Sequence, residues 1–244
     1  MPITIAVIGA SHTGKSSLAE PILGQMEFYG YDPIFIDDCR PLFYQKNREQ
    51  LSNKEILAIL EKQIFFEKQG QNNAKTEVII ISYPAVCAYA WAKIRFSNAN
   101  QTDYARLRIL GKEALDLAIR YDYFLHIEAT YEYLVWKQKK LKKRNSTFRL
   151  NFEDIFHEEK ILSILIKKGG IKQNKGYFLI SETSDKDRYP NRRFARAIEI
   201  LKNEFNRLGP MTPEDIAKIA PFVAKKMKHQ TDEEPSFAEL FGIN

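Results

Sequence analysis

Short apolar runs alternate with longer amphipathic segments along most of the chain, and that alternation restricts the fold more than any other feature. The runs cover residues 3–8, 34–36, 78–81, 123–127 and 177–180. Each is too short for a core helix and too uniformly apolar for a strand with one wet face. Helix-length segments separate them at 16–26, 52–69, 103–120, 131–143, 153–168 and 191–208. Ser52, with Glu55 three residues on, reads as the capping box that opens the second of these. Strands buried on both faces require helices on both sides. The expectation is therefore an α/β, three-layer fold with a five-stranded parallel sheet.

Gly209-Pro210 interrupts this alternation, so the sequence divides into a main domain over 1–208 and a short helical C-terminal extension over 209–244. Within the extension, Thr212-Pro213-Glu214-Asp215 opens a periodic apolar stretch through Ile216, Ile219, Phe222 and Val223. Residues 232–244 mix acids with Phe237, Leu240, Phe241 and Ile243, which suits either a docked tail or a segment that binds a protein partner.

Composition excludes several classes. Hydrophobic residues make up 44% and charged residues 28%, as in ordinary globular domains. No apolar stretch approaches the roughly 18–20 residues that cross a bilayer. Residues 1–5 enter the strand pattern without a charged leader, and Cys39 and Cys87 lack metal-like spacing; a reducing, cytoplasmic setting is expected. The net charge of +6 suits a protein that holds polyphosphates. Much of it is concentrated in Lys137, Lys139, Lys140, Lys142, Lys143 and Arg144.

The octet Gly9-Ala10-Ser11-His12-Thr13-Gly14-Lys15-Ser16 lies between the first strand and the first helix, and Ser17 follows it. It satisfies G-x-x-x-x-G-K-[ST] in the required strand–loop–helix context. Gly9 and Gly14 permit backbone angles and close approach that a Cβ obstructs. Amide hydrogens of such a loop converge on phosphate oxygens, aided by the helix N-terminus. Lys15 supplies a cation at the β/γ bridge, and the Ser16 hydroxyl is the expected Mg²⁺ ligand. His12 reads as loop-shaping rather than catalytic. The predicted ligand is a nucleoside triphosphate, ATP, held with Mg²⁺.

The opening Ile8-Gly9-Ala10-Ser11-His12-Thr13-Gly14-Lys15-Ser16-Ser17 resembles the small-molecule kinase branch of the P-loop NTPases. It is similar in particular to the nicotinamide riboside kinase domain of bacterial NAD-regulator proteins, and to AAA-labelled, kinase-like ATP-binding proteins close to that domain. Further features recur in the order of those families. They include Asp37 and Arg40 after the second strand, then Gln63 and Glu67 on a helix. Ala88-Tyr89-Ala90 follows on another helix, and Tyr121-Asp122 precedes the next strand. A lid over about 137–152 carries Arg149 just before an acidic helix containing Glu153 and Asp154. One departure stands out. Where the relatives end the third strand with an acid, this chain has Ser82-Tyr83-Pro84. Either Asp37 or Asp38 takes over that acid's task, or substrate phosphates hold the metal, or turnover is weak.

Phosphoryl transfer needs a cradle, a metal, a group that orients the acceptor hydroxyl, and cations over the migrating phosphoryl. Asp37 is the first candidate for the acceptor hydroxyl, with Asp38 second. Strand ends of such sheets face the ligand crevice, although an aspartate there also serves to cap the following turn. Arg40 either holds a substrate phosphate or pairs with an acid. Arg149, and after it Arg144, are the lid cations that the resemblance implies; the alternative for each is a solvated surface charge. Tyr83, Tyr89 and Trp91 are either base-stacking residues or core. The basic run 137–144 is either a solvated helix face or a contact for a nucleic-acid backbone.

Three functions are compatible with these residues. They are a kinase acting on a nucleoside, nucleotide or similar small hydroxylated metabolite, a regulatory ATPase acting through a protein partner, and a polynucleotide 5′-kinase.

Overall fold

The apolar runs pair side by side as five parallel strands in the order β2-β3-β1-β4-β5, with β1 at Ile3–Ile8, β2 at Pro33–Ile36, β3 at Val78–Ile81, β4 at Tyr123–His126 and β5 at Tyr177–Leu179. The register sets Ile3 beside Val78 and Ile5 beside Tyr123, which aligns the C-terminal strand ends along one edge. This computed structural model describes residues 2–43, 51–73, 75–96, 100–143, 149–171, 176–180, 189–203 and 205. The lid candidate Arg144 and the entire 209–244 extension lie outside the described residues.

Seven helices are present among the described residues: α1 (Lys15–Phe28), α2 (Asn53–Gln71), α3 (Ala85–Arg95), α4 (Gln101–Ala118), α5 (Tyr131–Lys143), α6 (Phe152–Lys168) and α7 (Tyr189–Leu201). Side-chain alternation along the strands divides them into two layers. Ile5, Val7, Phe35, Val78, Ile80 and Leu125 meet α1 and α7 on one face. Ala6, Ile8, Ile36, Ile79, Ile81 and Phe124 meet α2, α3, α4 and α6 on the other. The three-layer α/β fold with five parallel strands follows directly from strands that are apolar on both faces.

Local signals match this frame with a few differences. Ser52 and Glu55 form the reciprocal capping box at the start of α2. α1 begins at Lys15 and carries Pro21 in its second turn. The alanine-rich α3 has little apolar periodicity because eight of its residues, Ala85 to Ala92, are buried. A single 3-10 turn at Arg40–Phe43 follows β2. Among the described residues, no helix is long and apolar enough to cross a membrane.

Gln63 and Glu67, which the resemblance picked out, are fully buried in the interior beneath the strand edge. Glu67 accepts from the Ala85 amide at 2.6 Å, from Gln63 Nε2 at 3.2 Å and from the Tyr121 hydroxyl. Gln63 Oε1 in turn accepts from the Cys39 amide at 3.3 Å. These side chains thus fasten the N-terminus of α3 and the turn after β2 to α2. Burial pushes the Glu67 carboxyl up to about 7, against the hydrogen bonds from Tyr121, Gln63 and Ala85.

Glu67→Ala orphans the buried Ala85 and Tyr121 donors, so unfolding should show a loss of roughly 3 kcal/mol, or about 8 °C in Tm. Glu67→Gln keeps an acceptor and should retain most of that stability. Because the carboxyl is raised, the folded chain keeps its proton while the unfolded chain gives it up, so wild type loses stability as pH rises from about 4.5 to about 7. The Gln variant should therefore gain relative to wild type across that window, and a constant difference would contradict the assignment.

Candidate functional site

The loop between β1 and α1 turns through three left-handed positions, with Gly9 at φ 148°, His12 at φ 65° and Gly14 at φ 98°. A Cβ at Gly9 would collide with the Ile127 carbonyl oxygen, and one at Gly14 would lie 2.7 Å from the Tyr133 hydroxyl. Only glycine fits either position. His12 adopts the left-handed region that histidine tolerates better than branched residues do. Its imidazole reaches the surface at one edge, yet burial among its neighbours lowers its pKa to about 4, helped by Lys137, Arg40 and Lys15. It is therefore neutral at physiological pH.

Cations hold the carbonyls of this loop. Lys15 is 6% exposed and donates to Gly9 O at 2.9 Å and Ala10 O at 2.5 Å. Burial lowers its pKa, while Cys87 and Glu158 oppose that shift. Lys137 of α5 donates to His12 O at 2.7 Å, and Arg193 of α7 donates to Thr13 O at 2.6 Å. Arg193 also stacks on Tyr133, 4.2 Å from the ring centroid. Within the loop the Thr13 amide donates to Ala10 O at 3.4 Å. Ser16 and Ser17 follow in the first turn of α1, half-buried and exposed respectively.

Two acids from α6 support the loop from behind. Glu159 Oε2 accepts from the Ala10 amide at 3.1 Å, and its Oε1 lies 2.7 Å from His126 Nε2. His126 Nδ1 meets the Tyr177 hydroxyl at 2.5 Å, so a chain of hydrogen bonds runs from β5 through β4 and α6 to the loop. Glu158 is 3.4 Å from the Tyr83 hydroxyl and supplies negative charge near Lys15 and Arg40. Neither glutamate, nor Arg193 or His126, was selected from the sequence. A signal was available: Glu158 and Glu159 fall on the stripe Ile155, Leu162, Ile166, and Arg193 precedes Ala197 and Leu201 by four and eight positions.

The ends of β2 and β3 provide the acidic side of the site. Asp38 forms the cap: it accepts from the Arg40 amide at 2.9 Å and pairs with the Arg40 guanidinium at 2.6 Å. Arg40 therefore pairs with an acid, and its Nη1 also reaches Ser11 Oγ at 2.8 Å. Asp37 remains outside that ion pair and accepts from the Ser82 hydroxyl on the adjacent strand end. Glu20, one helical turn after Ser16, has its pKa raised by burial and then by Asp37. Tyr83, Tyr89 and Trp91 are core residues, although the Arg40 guanidinium lies 3.9 Å from the Tyr83 ring centroid.

The lid candidates separate. Leu150 packs against Tyr133 and Leu134, and its amide donates to Gln138 at 2.7 Å. Arg149 beside it is exposed and makes no hydrogen bond or ion pair among the described residues. The basic run is not a uniform solvated face either. Lys137 turns to the loop and Lys140 covers Trp136 at 4.2 Å, while Lys139, Lys142 and Lys143 are exposed. Among the described residues, no three His, Cys, Asp or Glu side chains cluster as a metal site.

The left-handed His12 yields a direct test of the loop. His12→Gly should keep nucleotide affinity within about threefold, since glycine adopts φ 65° without cost. His12→Val should lose at least about tenfold in equilibrium titration, because a branched side chain there is strained. Equal losses in both would assign the imidazole a contact with the nucleotide.

No protein-family model matches the chain, and no characterised protein sequence does so. Solved structures do. A NadR protein in complex with NR superposes with TM-score 0.63 at 15% identity, over 86% of this chain and 54% of that one. A NadR protein with NAD and AMP-PNP gives 0.60 at 14% identity, over 86% and 52%. Deoxyadenosine kinase from M. mycoides, with dCMP and dCDP, gives 0.55 at 18% identity, over 82% of this chain and all of that one. This chain spans about half the length of the NadR proteins. At these identities the likeness is one of architecture: the chain shares its fold with these NadR proteins and with deoxyadenosine kinase.

Proposed function

We propose that the chain is an ATP-dependent phosphotransferase that moves the γ-phosphoryl to a hydroxyl of a nucleoside, nucleotide or similar small metabolite. The observation that carries this reading is that Asp37 follows β2 at the strand edge that also bears the phosphate loop, where Ser82 orients it and the Asp38–Arg40 pair leaves it available. Support comes from the ligands of the structural neighbours, which bind NR, NAD and AMP-PNP in NadR and deoxynucleotides in deoxyadenosine kinase. The cradle is Gly9 to Ser17, with Lys15 on the β/γ-phosphates.

Mg²⁺ fits a donor set supplied mostly by the nucleotide: the Ser16 hydroxyl and phosphate oxygens would hold the ion, with water completing the shell. Ser82, in place of an acid, would then have no metal to hold: its hydroxyl donates to Asp37 and orients that carboxylate for the acceptor. When bound, the ion would neutralise charge on the β- and γ-phosphates. Asp37 takes the proton from the acceptor hydroxyl, and that oxygen forms the new bond to the γ-phosphorus. The bond to the β–γ bridging oxygen breaks, and ADP leaves with the electron pair. Arg40, held by Asp38 and Ser11, lines the acceptor side over Tyr83.

ADP release from Mg-ATP, measured across nucleosides, nucleotides and 5′-hydroxyl oligonucleotides, tests the reading. One acceptor class should stimulate turnover, and Lys15→Ala should abolish the stimulation. Asp37→Asn should lower kcat about 10²–10⁴-fold while leaving ATP affinity within about threefold. ATP binding with no acceptor-stimulated turnover would overturn the phosphotransferase assignment in favour of a regulatory ATPase. Stimulation confined to oligonucleotides would transfer it to a polynucleotide substrate.

A further inference from the structure

Lys137 occupies an electrostatic position that its role as a loop brace does not explain. Its ammonium lies 2.7 Å from the His12 carbonyl, 5.9 Å from the Tyr133 ring centroid, and close enough to Lys15 and Arg193 for both to repel its charge. Burial, followed by those two cations, lowers its pKa to about 8. A lysine drawn only to one neutral carbonyl and the face of one ring would be better placed in water, away from two like charges. The arrangement becomes favourable when an anion enters among the three cations. A flexible four-carbon stem lets the ammonium leave a carbonyl for a phosphate oxygen without moving the helix.

We propose that Lys137, rather than Arg149, is the cation that α5 brings to the γ-phosphoryl, so that it distinguishes ATP from ADP and stabilises the transferring group. The inference rests on the phosphotransferase reading for its catalytic half and on the loop geometry alone for its binding half. Arg149 is exposed and makes no hydrogen bond or ion pair among the described residues, whereas Lys137 already touches the loop. The other described lysines of the run are spread over the outer side of α5, with Lys140 over Trp136. The basic run therefore has two parts. Its first member belongs to the site, and the exposed members that follow do not.

The pH dependence follows from the groups that face Lys137: Lys15 of α1, Arg193 of α7, Tyr133 of α5 and His12 of the loop. His12 titrates far below the relevant range. Above pH 8 the free protein carries a neutral Lys137, which must take up a proton to meet a phosphate. ATP affinity should therefore fall as pH rises past 8, by up to about tenfold per pH unit more steeply than in Lys137→Arg, whose guanidinium stays charged.

The experiment is calorimetric titration with Mg²⁺ and a non-hydrolysable ATP analogue, and separately with Mg-ADP. It compares wild type, Lys137→Met, Lys137→Arg and the outer control Lys140→Met. Lys137→Met should weaken the ATP analogue at least tenfold and ADP by less than about threefold, with kcat for a responsive acceptor falling about 10²-fold or more. Lys137→Arg should recover most of the loss, and Lys140→Met should match wild type. Equal weakening of both nucleotides, or of neither, would overturn the proposal and leave Lys137 a loop brace. If Lys137→Met does not fold, the steeper pH slope of wild type over Lys137→Arg supports the proposal and equal slopes overturn it. The analogue cannot be transferred, so a wild type that binds but never turns over would remove the phosphotransferase reading without affecting the binding test.

Discussion

The loop after β1 depends on its carbonyls being held by cations. Lys15 takes those of Gly9 and Ala10, Lys137 that of His12, and Arg193 that of Thr13. A turn containing three left-handed residues has little intrinsic reason to keep one shape. Donors from α1, α5 and α7 impose that shape together. The same arrangement collects positive charge that is costly unless an anion or nearby acids offset it. Both the binding preference and the placement of the surrounding acids follow from that constraint.

The acids are distributed accordingly. Glu159 holds the Ala10 amide from behind and is itself fixed by His126 and Tyr177. Glu158 balances Lys15 and Arg40 from beneath Tyr83. Asp38 is committed to Arg40, and Asp37 to the hydroxyl of Ser82. Of these carboxylates, Asp37 sits at a strand end beside the loop and outside any ion pair among the described residues. A serine at the end of β3 thus complements an aspartate at the end of β2, and a carboxylate remains at the sheet edge where the relatives of the resemblance place theirs on β3.

The sheet was legible because period and burial agree: strands such as Val78–Ile81 are apolar at every position, and only burial on both faces accommodates that. Gly9, Gly14 and Lys15 were legible because their spacing encodes a backbone shape. The partners of that shape were not, because they come from distant segments. Glu159 is 149 positions from Ala10, and Arg193 is 180 from Thr13. No local rule links them, although charges on the apolar stripes of α6 and α7 marked them as buried. Arg40 left two roles open that only geometry could separate. Arg149 is exposed beside Leu150, which shares a cluster with Tyr133 and Leu134, and the contact of Lys137 with the loop, 125 positions away, is another that no local rule reveals.

A crystal structure with Mg²⁺ and a non-hydrolysable ATP analogue tests the central claim most directly, because the claim concerns where cations and amides point. The account predicts the β-phosphate within the amides of residues 12–17. Lys15 Nζ should have moved from the Gly9 and Ala10 carbonyls to phosphate oxygens, and Asp37 should face the γ-phosphate across the Ser16 hydroxyl. A nucleotide bound away from the loop, or Lys15 still held by those two carbonyls beside a bound nucleotide, would contradict it.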